Sequence, residues 1–320
     1  MINFSINKAY FLQALNTTKR AISSKNAIPI LSTIKIDVTS EGITLIGSNG
    51  QISIEYFISV KDENAGLLVT TPGAILLEAT FFINVVSSLP DVVLDVKEIE
   101  QKQIVLVSGK SEITLKGKDA EQYPRIQEIS ASNPLTLPIQ TLKKIISETA
   151  FAASTQESRP ILTGVHFVLS DHKELKTVAT DSHRMSQKNI TLEKNGDNFD
   201  VVIPSRSLRE LTSVFSDEIE QVEVFFANNQ ILFRSDNISF YTRLLEGNYP
   251  DTDRLIPTEF SSEVTFKVAH LRQAMERARL LSNATQNGTV KLEIASGVVS
   301  AHVNSPEVGS VNEEIDTEAV

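Results

Sequence analysis

Residues 28–36 read IPILSTIKI and residues 159–167 read RPILTGVHF. This self-similarity limits the possible folds more than any other feature of the chain. Pro29 aligns with Pro160 at an offset of 131 residues. TTPGAILLEA around Pro72 aligns with VIPSRSLREL around Pro204 at 132, and EQYPRI at Tyr123-Pro124 with GNYPDT at Tyr249-Pro250 at 126. Three anchors in one order at nearly constant spacing define a repeated unit, and 320 residues suffice for two or three such units. A third copy opens after Pro250, where residues 268–283 carry apolar side chains at helical spacing, as do 7–22 and 139–154. Only 70 residues follow Pro250 (320 − 250), against about 124 and 126 in the first two copies. The third domain is therefore expected to be C-terminally truncated and incomplete.

Each copy reads helix, strands, helix, strands. A short strand opens it (2–6, 135–139, 263–268), and a hairpin follows the first helix, as in 33–38 with 42–47. The second helix is expected after Pro72 or Pro204, because proline suits a first helical turn. Strand pairs close the unit: 103–108 with 112–116, and 222–226 with 231–235 and 239–244. Many strands and few helices predict an α+β fold of three repeated domains, with helices on one face of antiparallel sheets. The expected boundaries are 1–127, 128–253 and 254–320.

Chemistry is sparse. The chain has no cysteine, which removes disulfides and thiolate nucleophiles and fits a reducing compartment. The N-terminus lacks a signal-peptide pattern, and the longest apolar stretch, 75–86, is broken by Glu78 and falls short of the roughly 18 residues of a membrane span. A cytoplasmic location is expected. Gly109-Lys110-Ser111 resembles the end of a phosphate-binding loop, but Ile104 stands where that loop needs glycine. Asp251 and Asp253 lack a third acid in register, and the five histidines show no metal-ligand spacing. No enzyme, cofactor or metal is expected.

A formal charge of −10 argues against a simple DNA-coating protein, yet the cations are unevenly placed. Lys19 and Arg20, Lys143 and Lys144, and Arg277 and Arg279 fall at related places in three first helices. Quasi-symmetric copies would present them to one common side, holding a polyanion by its phosphates without reading sequence. Residues 159–185 add two strand runs, 165–169 and 175–179, ending in Thr180-Asp181-Ser182-His183-Arg184, a polar cluster held by a rigid ladder.

The IPIL/RPIL pair, VATDSHRM at 178–185 and EGNYPDTDRLIP at 246–257 together resemble the bacterial DNA sliding clamp family, the β subunit of DNA polymerase III, over the whole chain. The resemblance implies a non-catalytic processivity factor: a head-to-tail homodimeric ring around duplex DNA, helices inside, sheets outside. It implies a partner-peptide pocket built from Leu162, Thr180, Ser182, His183, Arg184, Met185, Pro250, Arg254 and Leu255, with Ser182 standing where many members carry glycine. Its occupants would be short peptides of the polymerase III catalytic subunit, clamp-loader subunits, other polymerases and repair proteins. DNA-facing loops would offer Lys25, Gln156 and Arg159. A subunit interface would join Lys110 and Ile113 to Leu280, Leu281 and the acidic Glu313-Glu314. The alternative is a peptide-binding adaptor of the same fold that never closes around DNA.

Overall fold

Two compact units, Met1–Pro250 and Asp251–Val320, make up the computed structural model, which describes every residue except 24–27, 91, 128, 130–133, 194–195, 283–288, 296, 306 and 320. Every ladder is antiparallel. The first unit holds both complete repeats. Each repeat carries two helices: α1 (Lys8–Lys19) and α2 (Ala79–Ser88), then α3 (Ile139–Thr149) and α4 (Ser205–Val214). Buried residues recur every three or four positions, as Phe11, Ala14, Leu15 and Thr18 on α1 or Leu142, Ile145, Ile146 and Thr149 on α3. Asn7 caps α1 by accepting from the amides of Ala9 and Tyr10, at 2.9 and 3.3 Å. The helices of a repeat pack against each other, α1 on α2 and α3 on α4. Edge-to-face rings of Phe4, Phe11 and Phe82 tie α1 and α2 to the opening strand.

The two repeats share a sheet. Nine strands run continuously through both, and the seam is the ladder of Ile52–Ser59 with Ile238–Arg243. Ile54 faces Phe240 and Tyr56 faces Ile238 across it, all buried toward one core that spans both repeats. On the other face Tyr241 Oη donates to Glu55 at 3.2 Å. Beyond the paired residues, the amide of Phe57 reaches Asn237 O at 2.8 Å and that of Arg243 reaches Gln51 O at 3.0 Å. A five-stranded sheet flanks the first repeat and a four-stranded sheet the second.

The expected α+β class and antiparallel sheets are present, and the strand pairs at 33–48 and 103–116 fall where the sequence places them. One repeat anchor is displaced. No helix follows Pro72: Gly73–Glu78 is a strand between Thr33–Val38 and Lys118–Asp119, and α2 starts only at Ala79. Ile75 and Leu77 enter the main core, while Leu76 turns the other way to meet Leu31 and Tyr123. Residues buried on both faces suit a central strand. Glu78, capping α2 through the amides of Thr80 and Phe81, is thus the counterpart of Pro204, which immediately precedes α4.

The second unit, taken by itself, comprises α5 (Val268–Ser282), a three-stranded sheet (Lys291–Ala295, Val298–Ser305, Gly309–Ile315) and a short ladder of Thr265–Phe266 with Thr317–Ala319. Strands Gly309–Ile315 and Thr317–Ala319 occupy a stretch with no strand expected from the sequence. Its buried core contains Ala274, Val299, Ala301 and Ile315, far less apolar volume than the first unit encloses. Limited trypsin digestion should therefore cut first within 251–320 and leave a fragment holding 1–250; earlier cleavage inside the first unit would contradict this. Phe240→Ala, which removes a fully buried ring at the seam, should cost about 3–5 kcal/mol by chemical denaturation. A loss under about 1 kcal/mol would mean the seam is not a packed core.

Candidate functional site

The end of strand Glu174–Thr180 is held from three directions. Behind it, the amide of Thr180 donates to Tyr249 Oη at 3.1 Å. Burial pushes the Tyr249 hydroxyl up to about 12, so it stays a neutral acceptor at physiological pH. The Tyr249 ring stacks on His166 with centroids 4.7 Å apart, and His166 Nε2 lies 2.6 Å from Asp200. Ahead of it, residues 180–184 fold into a tight turn. Thr180 Oγ1 donates to Arg184 O at 2.7 Å and accepts from the Ser182 amide at 3.1 Å. Asp181 accepts from the amides of His183 and Arg184, each at 3.0 Å, and from Arg184 Nε at 3.0 Å.

Ser182 has a φ of +75°, a left-handed conformation that costs an L side chain roughly 1 kcal/mol and explains the ease of glycine at this turn. Partial burial works to raise the Asp181 carboxyl, but the two amides and the guanidinium outweigh it and hold it below its ordinary range. Arg184 is fixed on its far side too: it donates to Phe151 O at 2.9 Å, and its guanidinium lies 5.7 Å from the Phe151 ring centroid.

Of the expected pocket residues, Leu162 and Thr180 are buried, Met185 is half-buried, and Ser182, His183, Arg184 and Pro250 are exposed, all in the first unit. Arg254 and Leu255 belong to the second unit, where Arg254 pairs with Asp251 at 2.8 Å and Leu255 is exposed. Sequence reading missed Tyr249, His166 and Phe151 as supports of the turn. Tyr249 was visible only as a repeat anchor, and the distance from Thr180 to it hides the bond.

The cations are less free than their placement on the helices suggests. Lys143 pairs with Asp217, Arg20 with Glu210 at 3.5 Å, and Arg277 with Glu313. Lys19 and Lys144 make no ion pair among the described residues. Arg20, capping α1, reaches Glu210 on α4, so a single exposed ion pair links helices of the two repeats. A groove of about 830 Å³ is lined by Lys143, Lys144, Arg184 and Arg209, with no acid among its described lining residues. Gln156 and Arg159 are exposed on the loop after α3, whereas Lys25 lies outside the described residues. Lys110 is exposed and Ile113 half-buried on an edge strand; Leu280 is exposed and Leu281 half-buried on α5. Glu313 is already engaged by Arg277, which leaves Glu314 as the exposed acid there. Among the described residues no three metal-ligating side chains converge. No described helix is long and apolar enough to cross a membrane.

The first unit is a doubled α+β unit with a shared sheet and a hydrogen-bonded turn at the end of one strand. Three family models match in succession: DNA polymerase III beta subunit N-terminal domain over residues 2–127, central domain over 136–251 and C-terminal domain over 253–320. The beta sliding clamp of Streptococcus pneumoniae (strain TIGR4) is 82% identical over 320 residues, covering 100% of this chain and 85% of the relative. The crystal structure of the DNA polymerase III beta chain from the same strain superposes with a TM-score of 0.97 at 83% identity, covering 99% of this chain and 84% of the other. That of the Bacillus subtilis sliding clamp gives 0.94 at 36% identity, with 99% and 84% covered.

The chain belongs to the DNA polymerase III beta subunit family, the bacterial beta sliding clamps. It is a non-catalytic subunit. The expectation of a truncated, incomplete third domain is not supported, because the C-terminal domain model matches residues 253–320.

The charge on Asp181 supplies a test of the turn. Its depressed carboxyl stabilises the fold above the ordinary carboxylate range, and that contribution is lost as pH falls through the lowered value. Asp181→Asn should lower the thermal midpoint at about pH 7, and the gap to the parent should narrow as pH falls below the ordinary carboxylate range. A gap that stays constant with pH would show that the carboxylate charge does not hold the turn.

Proposed function

We propose that the chain works by enclosure: two copies join head to tail into a ring around duplex DNA and keep the replicative polymerase attached. The domains are assigned as 1–127, 128–253 and 254–320. Family membership carries this reading, and Lys19 and Lys144, which make no ion pair among the described residues, support it. Phosphate contacts from such residues hold a duplex regardless of sequence. Gln156, Arg159 and Lys25 are the proposed loop contacts to DNA. Lys110 and Ile113 on one subunit, with Leu280 and Leu281 on the other, are the proposed interface, an apolar centre with a charged rim.

The turn at 180–185 is the proposed docking wall for partner peptides. Leu162, Met185 and Pro250 offer apolar contact, Thr180 and Ser182 shape the edge, and His183 and Arg184 present polar groups to an extended peptide. Arg254 and Leu255 remain the proposed contacts from the second unit. The polymerase III catalytic subunit, clamp-loader subunits, other polymerases and repair proteins are the proposed partners, in the cytoplasm. Protein loaded onto a nicked circle should persist there and be lost when the circle is linearised. Equal loss from circle and linear DNA would contradict retention by enclosure.

A further inference from the structure

The wall at 180–185 has a twin in the first repeat. Strand Gly42–Ser48 ends as Glu174–Thr180 does: the Gly50 amide donates to Ser48 Oγ at 3.1 Å, matching the Ser182 bond to Thr180 Oγ1, and Gly50 has a φ of +87°. Leu31 sits buried as Leu162 does, each on a short turn opened by Pro29 or Pro160. Tyr123 stands where Tyr249 stands. Tyr249 Oη receives the Thr180 amide, and the backbone of Ser48 approaches Tyr123 Oη in the same way, on a side chain only 6% exposed.

Ser48, Gly50 and Tyr123 line a cavity of about 290 Å³ closed on its far side by Tyr241, Thr242 and Arg243 of the second repeat. Arg125 and Arg243 stand exposed at it, and neither guanidinium has an ion-pair partner among the described residues. Among the described residues the lining contains no acid, in a chain whose formal charge is −10. Glu55, on the neighbouring strand, already accepts from Tyr241. Exposed Ile28 and half-buried Ile126 add apolar contact. Two unpaired forks of N–H donors beside an aliphatic seat suit a carboxylate next to an apolar side chain.

We propose that the junction of the first and second repeats is a second peptide-binding site, selective for an acidic extended peptide with alternating apolar residues. The inference rests on the reading of 180–185 as a peptide-binding wall. The probe is an N-acetylated octapeptide of alternating aspartate and leucine, with a neutral Gln/Leu/Phe peptide as control. Fluorescence anisotropy measures affinity, and hydrogen-exchange protection locates each peptide.

The acidic peptide should protect residues 48–53, and Arg125→Glu with Arg243→Glu should weaken it roughly tenfold or more. The paired lysine substitutions should keep most of the binding. The neutral peptide should protect 180–185 equally in all variants; its failure there would count against the wall alone. Acidic-peptide binding that survives charge reversal, protects only 180–185, or is absent from the parent would overturn the second site.

Discussion

The ladder between Ile52–Ser59 and Ile238–Arg243 is the contact on which the remaining geometry depends. A repeat with an open sheet edge would expose unpaired backbone groups and invite wrong pairing. Here the edge of one repeat is closed by the edge of the next, with Ile54 against Phe240 on the buried face. The backbone groups are satisfied and the apolar faces merge into one core. Because Thr242 on the seam also donates to Ser207 on α4 at 2.8 Å, the helices inherit their positions from the sheet. A protein that acts by surrounding its ligand needs this stiffness more than it needs strong individual contacts.

The same economy shapes the proposed docking wall. Thr180 is fixed by a tyrosine far along the chain, and Arg184 is fixed by Asp181 and Phe151, so the turn is set before any partner arrives. Preorganisation of this kind lowers the ordering cost of binding. The helical cations follow another logic. Lys143 and Arg20 are tethered to Asp217 and Glu210, which moderates the field around them.

Much of this was legible in the sequence because the repeat is written in short motifs. IPIL and RPIL and the two Tyr-Pro pairs fix which residues are equivalent, and period-two alternation marks most strands. The Pro72 alignment misled because TTPGAILLEA imitates VIPSRSLREL while its apolar run belongs to a central strand buried on both faces. Nothing local announces that the two seam strands will pair, or that Tyr241 will donate to Glu55 across a separation of 186 residues. The ion pairs Lys143–Asp217 and Arg20–Glu210 hide for the same reason. The third copy looked incomplete because the first two set its expected length, whereas the family match rests on the residues present.

Native-state hydrogen exchange at the seam tests the central claim most directly. The Phe57 amide, bonded to Asn237, and the Arg243 amide, bonded to Gln51, sit at the two ends of the shared ladder. If the first two repeats are one body, both amides should open with the same free energy and denaturant slope as the core strand Gln103–Ser108. Seam amides that exchange through a separate, shallow opening while that strand stays protected would show two independent domains that merely touch.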